Sequence, residues 1–237
     1  MHKIIYLFFI SLLLPLQACT TNYSAEPISA RVVDAETNQP VEGVVVVAHW
    51  QLEGGLEGGN NLGQMMVMEA VTDQAGQFSF PAWGPKKMPS DYPLYASNAR
   101  LKNMDPEMLF FKSGYQYLNL QNNKPLSQMG GMKPYIRTSD WNGKTVKMEK
   151  FKGGLKEYAH HLSGLDDELE RATISKYGYC EWKNIPLMLS VTGSQSKLFE
   201  TEKISHSSIN NHLLANEEAY AQKGCGSVKE FFRGHVK

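Results

Sequence analysis

The chain has 237 residues, a formal charge of +0 from 24 Lys and Arg against 24 Asp and Glu, and 42% hydrophobic residues. A chain of this length and apolar content buries a core without needing disulfide or metal staples, and its balanced charge gives no electrostatic reason to expect nucleic acid as a partner. No like-charge block or low-complexity tract occurs, and no apolar stretch reaches the roughly 20 residues that cross a bilayer.

In chain order, Lys3 supplies a positive start, Ile4 to Leu14 form a short apolar run, Pro15 breaks it, and Leu16-Gln17-Ala18-Cys19 follows as a cleavage box. These residues resemble a bacterial lipoprotein signal, in which Leu stands three residues, and Ala or Gly one residue, before a Cys that becomes diacylated; Gln17 is the less usual occupant. The resemblance implies that residues 1–18 are a signal peptide, that Cys19 is lipidated, and that the membrane is a partner through this anchor. Thr20, rather than Asp, follows the Cys, which by the same resemblance implies an outer-membrane lipoprotein of the cell envelope facing the periplasm. Residues 19–27 read as a polar tether.

Strand patterns begin at Ile28. Ile28, Ala30 and Val32 alternate with Ser29 and Arg31, the period-two signature of a half-buried strand. Thr37-Asn38-Gln39-Pro40 is a turn, Val44 to Trp50 a more continuously apolar strand, and Met66, Met68 and Ala70 suggest a third. Thr72 to Gly76 form a tight turn into the Phe78 and Phe80 strand. Met108 to Lys112, Tyr115 to Leu120 and Thr145 to Lys150 add further strands, the last behind an Asn142-Gly143 turn. Short strands with turn punctuation and no intervening helix predict an antiparallel sandwich.

Asp34, Thr37, Pro40, Val41 and Gly43 form a D-x-x-T-x-x-P-V-x-G turn, Thr72-Asp73…Gly76-Gln77-Phe78 a T-D-x-x-G-x-F step, and Lys112-Ser113-Gly114-Tyr115 a K-x-G-Y turn. In this order they resemble a carboxypeptidase regulatory-like domain over residues 28–152. The resemblance implies a mainly β protein built on a seven-stranded antiparallel transthyretin-like β-sandwich, a domain type that is not itself catalytic. The chain departs from the basic domain in a Leu-Glu-Gly-Gly repeat over residues 52–59 and in a Pro-bearing insertion over residues 86–107. Loops of this kind are either functional or simply solvated connections.

From residue 153 the period changes. Leu155, Tyr158, Leu162, Leu165, Leu169 and Ala172 make a helical stripe interrupted by Gly164. Asn184 stands where a cap would open a second helix with Pro186 in its first turn, and Ser208 where a third would open, with Val228 to Phe232 as a short last segment. Residues 153–237 thus predict a C-terminal α-helical extension packed on the sandwich. With Cys19 assigned to lipid, Cys180 and Cys225 remain, and in an oxidising compartment a disulfide is their natural pairing. Neither has a Cys or His at metal-ligand spacing.

No G-x-S-x-G, Walker A, dinucleotide or H-E-x-x-H motif is present, so no catalytic residue and no cofactor is predicted. Intradiol dioxygenases also use a sandwich, with two Tyr and two His on iron, and the chain lacks an H-x-H pair to match. His160 and His161 point about 100° apart on a helix, and His206 and His212 face different ways, so no metal site is predicted. Trp83 and Trp141, with Trp182, are candidates for an aromatic ligand platform, although a Trp more often anchors a core or interface. The expectation is a non-catalytic binding or assembly module of the envelope with a protein or glycan partner; the alternatives are a sugar- or peptide-binding protein that uses the long loops and, behind it, a metal-dependent enzyme.

Overall fold

The computed structural model describes residues 22–55, 59–88, 99–123, 135–174 and 180–235. The signal segment and Cys19 lie outside the described residues, as do residues 56–58 of the Gly-Gly repeat and 89–98 of the insertion. Among the described residues no helix is long and apolar enough to cross a membrane.

The strands are β1 (Asn22–Ala25), β2 (Ile28–Asp34), β3 (Val45–Gly54), β4 (Asn60–Val71), β5 (Gln77–Phe80), β6 (Trp83–Lys87), β7 (Arg100–Leu101), β8 (Glu107–Phe111), β9 (Leu118–Leu120), β10 (Ile136–Arg137) and β11 (Thr145–Met148). Helices α1 (Leu155–Thr173), α2 (Pro186–Thr201), α3 (Ile209–Ala215), α4 (Glu217–Gln222) and α5 (Val228–His235) follow, with a 3-10 turn at Glu181–Asn184. The protein is therefore mainly β with sheets followed by C-terminal helices. It carries eleven strands among the described residues, more than the seven expected. Four short strands account for the excess: β1 in the segment read as tether, β6 and β7 at the start of and within the 86–107 insertion, and β10 between β9 and β11. In β1, Tyr23 and Ala25 are buried while Asn22 is exposed and Ser24 half-covered, so residues 22–25, read as tether, belong to the folded part.

Three sheets form, ordered β10-β1-β6, β11-β2-β5 and β4-β3-β8-β9, with β7 also paired to β3. The first two are not purely antiparallel as expected, because β10 runs parallel to β1 and β11 parallel to β2. Side-chain alternation reports which face a residue occupies and says nothing of the neighbouring strand, so this departure has no local signal. One core lies between the large sheet and the two smaller ones, where Phe78 meets Phe110 edge-on at 5.6 Å and Trp50 meets Trp83 at 5.4 Å. A second core lies on the other face of the large sheet, where Val45, Val47, Val67, Leu109 and Phe111 pack against the helices. Because the first part of β3 is covered on both faces, Val45 to Ala48 read as a continuous apolar run instead of an alternation.

The three sequence motifs meet at one edge of the sandwich. Asp34 Oδ1 accepts from the Glu36 and Thr37 amides and the Thr37 hydroxyl, and Oδ2 from the Tyr115 hydroxyl at 3.1 Å, with Lys150 Nζ at 3.7 Å. Gly76 has φ +73°, and a Cβ there would stand 2.3 Å from the Val32 carbonyl oxygen, so this turn requires glycine. The Thr37 amide bond, opposed by burial and helped by the Thr37 and Tyr115 hydroxyls and the Glu36 amide, holds the Asp34 carboxyl down at about 2. A carboxyl with a depressed folded pKa stabilises above its unfolded value near 3.9 and loses that contribution as the pH falls toward 2. Asp34→Asn is therefore expected to lower stability at neutral pH and to flatten the loss of stability between about pH 4 and 2, as followed by urea melts across pH.

The helices are fixed to the sheet by polar bonds as well as packing. Tyr158 Oη accepts from the Gly114 amide at 2.9 Å and His161 Nε2 from the Tyr117 amide at 3.1 Å. A Cβ on Gly164 would come within 2.6 Å of the Tyr117 hydroxyl, which explains a glycine inside the α1 stripe. Asn184 does not cap α2; it ends the 3-10 turn, exposed, and Ile185 occupies the cap position without a side-chain bond. The cap comes instead from Glu69 on β4, whose carboxylate oxygens accept from the Leu187 amide at 2.9 Å and the Met188 amide at 2.6 Å. Burial pushes the Glu69 carboxyl upward and these two amides pull it back. Glu69→Ala is expected to cost about 1–2 kcal/mol in urea denaturation, whereas Asn184→Ala stays within about 0.5 kcal/mol of the parent.

Candidate functional site

The helix-facing side of the large sheet changes character along β3. Val45 and Val47 belong to the core beneath the helices, but His49, Gln51 and Glu53, at the same alternating positions, are polar. Opposite them, β4 presents Gln64 and Asn61, displaced by irregularities in register after Trp50 and Leu52. The C-terminal turns of α1 stand over this polar end, and together they enclose a cleft of about 590 Å³. His49, Lys102, Glu107 and Asn119 lie at its floor, Glu168 and Arg171 form the helical wall, and Gly59 brings the β3–β4 hairpin to its rim.

The floor is a connected network. Lys102 Nζ donates to Glu107 Oε2 at 3.1 Å and Asn119 Nδ2 to Glu107 Oε1 at 2.7 Å. His49 is 2% exposed, with Nδ1 3.1 Å from Gln64 Oε1 and Nε2 4.0 Å from Glu107 Oε1. The Asn61 and Gln64 amide nitrogens both donate to the Arg171 carbonyl, at 3.0 and 3.1 Å, satisfying one of the acceptors that the end of α1 leaves open. On the wall, Arg171 pairs with Glu168 at 2.5 Å.

Burial pushes the His49 imidazole below its ordinary pKa, as does the Lys102 charge, against the opposing pull of Glu107, Gln64 and Glu168. Burial works against the Glu107 anion, but the imidazole and the Lys102 ammonium beside it, with the Asn119 and Lys102 hydrogen bonds, hold its carboxyl below the usual range. The floor thus sets a buried imidazole beside a paired carboxylate. Among the described residues two cationic and two anionic side chains line the cleft, each cation bridged to an anion, and none of the described lining residues is Ser, Thr or Cys. The arrangement offers hydrogen bonds without an activated nucleophile.

The candidates read from sequence lie elsewhere. Trp83 is a core residue, 6% exposed, packed edge-on against Trp50, so its ring faces are covered. Trp141 is half-buried against the same core, its indole N–H donating to the Gln121 carbonyl at 3.0 Å. Neither lines the cleft, although Gln121 does. Cys180 and Cys225 are joined, with Cα atoms 5.2 Å apart. His206 pairs with Asp166 at 3.0 Å and His212 lies 3.6 Å from Glu170, while among the described residues no group of three or more His, Cys, Asp or Glu is placed to hold a metal ion. Sequence reasoning missed the cleft residues; the available signal was the switch from Val45 and Val47 to His49, Gln51 and Glu53 at a constant period of two.

The geometry defines a mainly β protein with helices on one sheet face and a polar cleft where that cover ends. No family model matches the chain, and no curated protein matches it. Among solved structures it is similar to 3-chlorocatechol 1,2-dioxygenase from Rhodococcus opacus 1CP, at 16% identity and a TM-score of 0.31, over 58% of this chain and 64% of that one. Wild-type catechol 1,2-dioxygenase from Acinetobacter radioresistens is similar at 16% identity and a TM-score of 0.30, over 56% of this chain and 53% of that one. The chain spans less than two thirds of either protein, and likenesses at this level carry no conclusion about fold or chemistry.

Proposed function

We propose that the protein is a lipid-anchored module of the cell envelope, held in the outer membrane by acyl groups on Cys19, that binds a partner without catalysis. The N-terminal pattern from Lys3 to Cys19 supports the anchor, and the three turn motifs support a transthyretin-like, regulatory-type sandwich as the scaffold. The observation that carries the binding role is the cleft of about 590 Å³, whose size lies within the range of small-ligand sites while its lining is polar and charge-balanced. That lining favours a hydrogen-bonding ligand, a sugar or a peptide, held beside the β3–β4 hairpin. Globomycin treatment is expected to accumulate a longer precursor, and labelled palmitate to be incorporated in wild type and lost in Cys19→Ala. A protein that is processed without label and stays in the soluble fraction would overturn the anchor.

A further inference from the structure

His49, a buried residue, lines the cleft, and its Nε2 lies beside Glu107 there. The Gln64 amide nitrogen donates to the Arg171 carbonyl, which turns its oxygen toward His49 and requires the proton on Nδ1. Nε2 then carries the lone pair, and among the described residues it has no hydrogen-bond partner. Glu107 Oε1, its neighbour at 4.0 Å, is also an acceptor and lies beyond hydrogen-bond distance. Two acceptors so placed are complemented by a ligand group that donates. Beside them stand donors, Lys102 Nζ and the Asn119 amide, and groups that do both, the side-chain amides of Gln51, Asn61 and Gln121.

Charge decides among donor classes. An ammonium group meets Lys102, which already neutralises Glu107, and an anion meets Glu107 and Glu168. An apolar group would strip water from paired charges and give nothing in return. A hydroxyl donates once and accepts twice, so adjacent hydroxyls match adjacent acceptors and donors. Resting on the reading of the cleft as a binding site, we propose that it takes a neutral carbohydrate, one hydroxyl donating to His49 Nε2 and a neighbouring hydroxyl accepting from Lys102 Nζ. With no aromatic side chain among the described lining residues, recognition runs through hydrogen bonds, and selectivity comes from polar groups that would otherwise lose their partners.

Titration calorimetry of the purified protein with chitotriose, maltotriose and trialanine, and co-sedimentation with isolated peptidoglycan, test this. At least one neutral saccharide is expected to bind at pH 7.5, with affinity reduced at least about tenfold in His49→Phe, which removes the acceptor while keeping a planar ring, and in half-exposed Lys102→Met, and largely kept in His49→Gln. Co-sedimentation with the same variant pattern assigns the sugar to the glycan strand, and saccharide binding without it assigns a soluble oligosaccharide. Saccharide binding unchanged in His49→Phe and Lys102→Met, both checked for native melting, overturns the inference. Binding of trialanine alone, lost in Glu107→Gln, overturns it while leaving the cleft a binding site. Binding of no probe, or binding indifferent to every cleft substitution, overturns both readings.

Discussion

Replacing Cys180 and Cys225 together by Ser is expected to destabilise the protein by about 4 kcal/mol in urea denaturation. The bridge joins residues 45 apart, and closing a loop of that length removes much of the unfolded chain's freedom. It does so where the helical layer needs it. Cys180 enters the 3-10 turn bearing Trp182, which is fully buried, and Cys225 follows α4. Trp182 packs edge-on against Phe231 at 5.0 Å and Tyr220 at 6.0 Å, so the bridge ties the turn carrying this anchor to the segment carrying its contacts. Lys183 adds a bond to the Cys225 carbonyl at 3.0 Å. A loss below about 1 kcal/mol would show that packing around Trp182 alone holds the layer.

Asp166→Ala carries the other large expected effect, about 3–5 kcal/mol. Asp166 sits on the buried face of α1, where Oδ2 lies 3.0 Å from His206 Nε2 and Oδ1 accepts from the Ile209 amide at 3.1 Å. His206 in turn places Nδ1 3.1 Å from the Ala159 carbonyl and 3.4 Å from the Ser163 hydroxyl. One carboxyl therefore binds α1 to the approach of α3 and also caps α3, whose cap-position residue Ser208 makes no side-chain bond. Removing the carboxyl leaves a buried imidazole and a helix-end amide without their acceptor. Apolar replacement of Asp166 and His206 together is expected to cost less than the sum of the single substitutions, since no orphaned partner remains. Strict additivity in that double-mutant cycle would contradict the coupling.

What the sequence showed and what it concealed divide by distance along the chain. The α1 stripe from Leu155 to Ala172 and the Ile28–Val32 alternation are local periodicities, and both elements occur over those residues. The turn motifs also turn out to touch, Asp34 reaching Tyr115 and Gly76 lying against Pro40 and Val41. The Glu69 cap acts across 118 and 119 residues, and the parallel pairing of β11 with β2 crosses most of the sandwich; neither has a local signal. The cleft is composite in the same way, its floor drawn from β3, β8 and β9 and its wall from α1, so no spacing rule brings His49 to Glu107 or Asn61 to Arg171. A large aromatic such as Trp83 serves more often as core anchor than as platform, and its edge-on contact with Trp50 is of the first kind.

The most direct test of an anchored binding module is the intact mass of the protein extracted from membranes by detergent. The expected species is a polypeptide that begins at Cys19 and carries acyl groups on that residue. A mass beginning at Met1, or at another residue with Cys19 bearing a free thiol, would contradict it.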